Sequence, residues 1–315
     1  MNSTSSRPRA KPSGATCLLA ASLLVFACTP DFQSVSAVVD LRVLAVRADP
    51  PEAHVDLQKQ TVDSVTVHVL VADPTAAGPT GPGQATVDAS LCFPTDTLLC
   101  DPGSPALPRT VAKVGEVTLP PISIPAALVA AALQNDLLKG LGGVRVQLAL
   151  TVATADPNGP VSAEKTLLYS ASAAPNHNPV VLGLALTASA GQTRLAPGQT
   201  LDLTVGTSIG IRPILPCADD AAGGCPGGEE HYTATDLHGN QVALREEISW
   251  SFFSTAGASV DRDTADEPLP ELQQPQNGLV RIAAQAAGSG TFWVVGRDGR
   301  GGTGWLAVPW VAVAQ

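Results

Sequence analysis

Charge, aromatic rings and histidine are all scarce in this chain of 315 residues. Lys, Arg, Asp and Glu make up 15% of it, Phe, Trp and Tyr 4%, and there are five histidines. With so few charged residues, and few lysines among them, long amphipathic helices have no polar face to present, which excludes a helical bundle. Few aromatics also speak against an open sugar-binding platform. Only Trp293, Trp305 and Trp310 could serve as one, and their strand settings assign them to a core. The metalloprotease signature is missing too: there is no H-E-x-x-H. The glycines from Gly140 to Gly143 lack the lysine and following helix of a phosphate loop, and GRDGRGG (296–302) sits between strands and reads as a hairpin turn.

What is present begins at the N-terminus. Arg7, Arg9 and Lys11 precede a thirteen-residue apolar run, Ala15–Ala27, with no acid before Asp31. A positive segment, a short apolar segment and a small residue at its end make a secretory signal peptide, and the run is well short of the ~20 residues of a membrane span. The run stops at Cys28, and Val25, Ala27 and Cys28 resemble the lipobox of bacterial lipoproteins, with Phe26 bulkier than the usual occupant. That resemblance covers residues 1–28 and implies that Cys28 becomes the mature N-terminus and carries a diacylglyceryl group. Ordinary cleavage after Ala27 is the rival reading. Cysteine parity favours the lipobox, because loss of residues 1–27 discards Cys17 and leaves five cysteines, an odd number. Two or more acyl chains hold a protein stably to a bilayer, at about 0.8 kcal/mol per buried CH₂.

The whole chain has a net charge of −10, and removal of residues 1–27 leaves 15 basic against 28 acidic residues, or −13. Nucleic acid and anionic headgroups both reward Lys and Arg, so neither is expected as a partner. Val, Ala, Leu and Thr dominate, and 29 Gly and 27 Pro interrupt the chain at short intervals, the pattern of an all-β protein with many turns.

The alternation supports that reading. Val65, Val67, Val69 and Val71 share one face, as do Val144, Val146, Leu148, Leu150 and Val152, and later Ile248, Trp250 and Phe252. Leu41, Val43 and Ala45 are expected inward, with Arg42 and Leu44 outward. One helix is expected at 124–139, with Ser123 as cap, Pro125 in the first turn, Gly140 closing it, and Leu128, Ala131, Ala132 and Leu138 as its apolar stripe. Gln60-Thr61 and Gln199-Thr200 each open an alternating stretch ahead of a Cys-x₇-Cys pair, a weak internal repeat. Residues 246–312 resemble the closing strands of bacterial immunoglobulin-like or PKD-like modules: a tryptophan strand, then Arg297-Asp298-Gly299 before the last strand. The long intersheet disulfide of antibody domains has no counterpart here.

These readings combine into an all-β chain of two tandem Ig-like antiparallel β-sandwich domains, with one short helix in the first domain and a cleaved N-terminal signal peptide. The segments are a signal peptide (1–27), a lipidated tether (28–37) reaching at most ~35 Å, a first domain (38–174), a linker (175–179) and a second domain (180–315).

Candidate sites are few. Cys92 with Cys100 and Cys217 with Cys225 are expected as two local disulfides, worth about 2.5 kcal/mol each, because seven intervening residues do not suit a zinc pair. Asp261, Asp263, Asp266 and Glu267 form a weak calcium candidate that lacks the EF-hand glycine and final glutamate. Glu229, Glu230 and His231 read as the rim of a loop, and His68 as a polar-face strand residue. No cofactor and no catalytic residue is expected. The reading is a non-enzymatic, exported envelope lipoprotein, held to the outer membrane by its lipid and acting as a structural, adhesion or binding module toward an envelope protein or glycan. The alternative is an envelope hydrolase acting on glycan or peptide from loops of the second domain.

Overall fold

The computed structural model describes residues 34–314, apart from 57, 76–82, 94–99, 102–103, 137–138, 173, 189–190, 218–223, 236–237 and 262–277. In chain order the first half forms β1 (Ala37–Val38), β2 (Arg42–Asp49), β3 (Glu52–Asp56), β4 (Thr61–Val62), β5 (Thr66–Ala72), β6 (Gln84–Cys92), β7 (Thr110–Lys113), β8 (Gly115–Thr118), α1 (Ala126–Asn135), β9 (Val144–Ala153) and β10 (Val161–Ser170). The second half forms β11 (Gly183–Ala188), β12 (Gly191–Leu195), β13 (Leu201–Thr204), β14 (Ser208–Ile214), β15 (His231–Thr235), β16 (Gln241–Arg245), β17 (Ser249–Thr255), β18 (Ala258–Val260), β19 (Val280–Ala284), β20 (Gly288–Arg297) and β21 (Thr303–Val313).

The first sandwich packs the sheet β2-β5-β8 against the sheet β4-β3-β10-β9-β6-β7. The valines of β5 and the alternating residues of β9 point between the sheets and are buried, as their period of two requires. Two buried aspartates tie strand ends together: Asp156 accepts the Leu41 N–H at 2.8 Å just ahead of β2, and Asp73, after β5, accepts the hydroxyl of Thr154, after β9, at 2.5 Å. The second sandwich packs β1-β17-β20-β21-β13 against β12-β11-β14-β19-β18. Its core contains Ile248, Trp250, Phe252, Phe292 and Trp310, with the two phenylalanine rings stacked at 6.2 Å.

Both sandwiches close in the same way. An early strand changes sheets and pairs in parallel with the last strand of its domain: β3 with β10 (Glu52 opposite Leu168), and β13 with β21 (Leu201 opposite Trp310). Pro50-Pro51 forces the first switch, since proline cannot donate to the ladder that β2 was building. The chain is therefore all-β, with two sandwiches of Ig-like layout and one short helix. The Gln-Thr repeat is out of step with this closure, because Gln60 follows β3 whereas Gln199 precedes β13. It does not extend to the cysteines: Cys92 ends β6, whereas Cys217 follows β14.

The helix departs from expectation in detail. Its N-cap is Pro125, Ser123 makes no capping bond, and it ends at Asn135. Val129 and Ala132 are its buried residues, while Leu138 lies outside the described residues. Leu44 departs as well. A register shift in β2 between Val43 and Ala45 lets both Leu44 and Ala45 bury. Leu44 faces a third apolar cluster formed with Val38, Leu70 and Ala72 on one side and Trp293 and Val295 on the other. The outer face of the first sandwich is thus a packing surface for the second.

The segment entering the first sandwich belongs to the second. β1 pairs in parallel with β17, Ala37 opposite Ser254 and Val38 opposite Thr255. Arg297 of β20 then donates to the Leu44 carbonyl at 3.0 Å.

Candidate functional site

The β20–β21 hairpin, GRDGRGG in sequence, is wedged between the sandwiches. Asp298 shapes its tip by accepting the N–H groups of Arg300 at 2.8 Å and Gly302 at 2.9 Å, and it takes a third bond from the Asn176 side chain at 2.8 Å. Gly299 and Gly301 have positive φ, which leaves the tip free to turn without a Cβ. Lys165 of β10 grips the same hairpin, donating to the Gly301 carbonyl at 2.5 Å and the Thr303 hydroxyl at 3.3 Å. The linker is fixed too. Asn178 donates to the Ala48 carbonyl and accepts the Thr303 N–H, and Pro179 lies so close to Gly304 that no Cβ could stand there.

Arg300 is the centre of the junction. Its guanidinium meets Glu52 of β3 at 3.2 Å, Glu246 at 2.8 Å and Glu230 at 3.7 Å, and lies over the Tyr232 ring at 4.2 Å. Glu52 also accepts the Asn176 N–H and the Ser170 hydroxyl, and His177 Nδ1 lies 2.8 Å from Glu230. Three glutamates from both halves of the chain therefore share one arginine in a site largely closed to water. Burial, then the nearby charge of Asp298, pushes the Glu246 carboxyl up to about 7, against the pull of Arg300. Burial likewise lowers Lys165 to about 8, partly offset by Asp298.

Next to this cluster lies a cleft of about 1150 Å³ between the sandwiches. The first sandwich contributes Leu141, Arg145, Thr166 and Leu168, and the second contributes the whole of β15, His231 to Thr235.

The sequence-derived candidates fall elsewhere. Cys92 with Cys100 and Cys217 with Cys225 lie at disulfide distance, their Cα atoms 5.6 and 6.3 Å apart. The second pair borders the cleft through Cys225. Asp261 is exposed and accepts the Arg281 N–H at 2.8 Å, ending the β18–β19 pairing; Asp263, Asp266, Glu267 and Cys28 lie outside the described residues. No group of three or more metal-ligating side chains occurs among the described residues. Trp293 and Trp310 are buried, and Trp305 packs under Arg47 and donates to Glu116 at 3.1 Å. Glu229 pairs with Arg245, and Glu230 is a junction residue rather than the rim of a loop.

No family model and no curated protein matches the chain. Among solved structures, the chain is similar to the tandem Ig repeats of Dlar (10% identity, 88% of this chain and all of that one, TM-score 0.25). It is also similar to the D00-D0 domain of Intimin (10% identity, 87% and 100%, TM-score 0.21). A red sea bream transglutaminase matches at 10% identity and TM-score 0.24, and there the chain spans 32% of the other protein's length.

Proposed function

We propose that this protein is an exported lipoprotein of the cell envelope, anchored through Cys28, whose two sandwiches act together as one rigid, non-enzymatic binding module. The observation that supports rigidity is the Arg300 junction, which ties the linker, β3, β10 and the β20–β21 hairpin into one network. A spacer meant to flex would not bury three glutamates around a single arginine, because each opening would expose or orphan a charge. The anchor is supported by parity. With the other four mature cysteines paired at disulfide distance, Cys28 is the remaining one. A hydrolase of the alternative kind needs carboxylates free to reach a substrate, whereas Glu52, Glu230 and Glu246 are committed to Arg300. Outer-membrane placement and a protein or glycan partner in the envelope belong to the same proposal.

The anchor is tested by fractionation. Cys28→Ser should move the protein from the membrane pellet to the soluble fraction and remove incorporated radiolabelled palmitate. A variant that still pellets and keeps the label would sink the lipoprotein reading.

A further inference from the structure

The cleft beside Arg300 presents a strand edge as its wall. Side chains alternate along a strand, so five consecutive lining residues, His231 to Thr235, mean that β15 turns its backbone toward the cleft. β15 pairs with β16; on its other side a bridge between Gly224 and Glu230, with the Cys225 N–H donating to the Glu229 carbonyl at 3.3 Å, covers the start of the edge up to His231, and beyond it no backbone bond among the described residues closes that side. The parity of that pairing is fixed by the Glu246 N–H donating to the Glu230 carbonyl at 2.8 Å. Hydrogen-bonded pairs alternate along an antiparallel ladder, so Tyr232 and Ala234 spend their backbone groups on β16. His231, Thr233 and Thr235 point theirs the other way.

The facing wall has its own chemistry. Leu141 and Leu168 supply apolar surface, with Arg145 beside them. The Arg145 guanidinium makes one bond, to the Gly143 carbonyl at 3.3 Å, which leaves most of its five N–H donors uncommitted. Glu52 and Glu230, the acids of the cleft, are held by Arg300. The uncommitted charge of the cleft is therefore positive. Its volume of about 1150 Å³ exceeds the 300–1,000 Å³ usual for small-molecule pockets, and Thr233 to Thr235 offer an open edge of roughly 10 Å.

We infer that the cleft binds an extended polypeptide segment of another protein, which adds to β15 as a third strand and places an acidic side chain at Arg145 and an apolar one against Leu141 and Leu168. Main-chain bonds to Thr233 and Thr235 supply affinity, and the facing wall supplies choice of sequence, as in other cases of strand addition. The inference rests on the binding-module reading and names the occupant of that module.

The test uses the full chain in detergent, with a random decapeptide display library as probe. The selected peptides should alternate apolar residues with Asp or Glu. Their affinity should fall at least tenfold on Arg145→Ala and on Thr233→Pro, which removes an outward N–H and leaves the β16 side of the ladder intact. N-methylation of alternate amides in a selected peptide should abolish binding to the unaltered protein, an arm independent of how any variant folds. Selection without enrichment, equal binding by the N-methylated peptide, or an oligosaccharide array labelling the cleft in an Arg145-dependent manner would overturn the inference. None of these readouts involves Cys28, so failure here and failure of the anchor are distinguishable.

Discussion

At the scale of single residues, Glu246 and Lys165 determine how the junction responds to pH. The Glu246 carboxyl titrates at about 7 in the folded chain, above its ordinary value of 4.5. A raised carboxyl favours the folded state while it is protonated, so its contribution is full below pH 4.5 and is lost as pH rises through 7. Lys165 runs the other way. Lowered to about 8 from 10.5, it disfavours folding below pH 8, and that penalty fades toward pH 10.5. Stability should therefore fall from pH 5 to 7 and reach a minimum between 7 and 8. Glu246→Gln keeps an acceptor for Arg300 and should flatten the lower limb; thermal melts across pH 5–8 decide it, and an unchanged slope would refute the assignment. Arg300→Met should cost about 3–5 kcal/mol in urea denaturation at pH 7.5, because it leaves buried carboxylates without their cation. A loss below 1 kcal/mol would mean that Arg300 is not the pin described.

At the scale of elements, the sequence revealed strands wherever one face is core and the other solvent. β17 alternates cleanly in burial; in β5 and β9 the inward residues are buried as expected, and Leu70, Ala72, Gln147 and Ala149 on the other face are covered as well. β2 misleads for the converse reason: Leu44 lies on its outer face, which a second sandwich covers, and a period of two cannot signal a partner supplied by Trp293 and Val295. The junction cluster was illegible on the same grounds. Glu52, Glu230, Glu246 and Arg300 come from four separate segments, and each looks alone like an ordinary surface charge. Only GRDGRGG left a trace, as a turn whose glycines could be read but whose wedge role could not. The β21–linker contact yields a prediction of its own. A Cβ on Gly304 would sit 2.8 Å from the Pro179 carbonyl carbon, so Gly304→Ala should push the linker away and destabilise by about 1–3 kcal/mol. Gly299→Ala, with nothing within 4 Å, should cost only the strain of its positive φ; equal losses by differential scanning calorimetry would argue against close packing at the linker.

At the scale of the whole molecule, the third apolar cluster and the Arg300 network make the two sandwiches one unit from Val35 to Gln315. Calorimetry should show a single cooperative transition, and protease should cut slowly at 174–179, where Asn176 is 2% exposed. Two separated transitions in the unaltered protein would contradict that coupling. β1 adds a consequence of another kind, concerning the order of events during synthesis. Ala37–Val38 find their partners at Ser254–Thr255, which leave the ribosome more than two hundred residues later. At 5–20 residues per second, those first strand residues wait about 10–40 s for the edge they complete. The N-terminal sandwich can form its own sheets in the meantime, but Val38 stays bare until the C-terminal one arrives. A chain stalled before residue 249 would thus keep Val38 uncovered, and the folding of β1 is finished by strands made long after it.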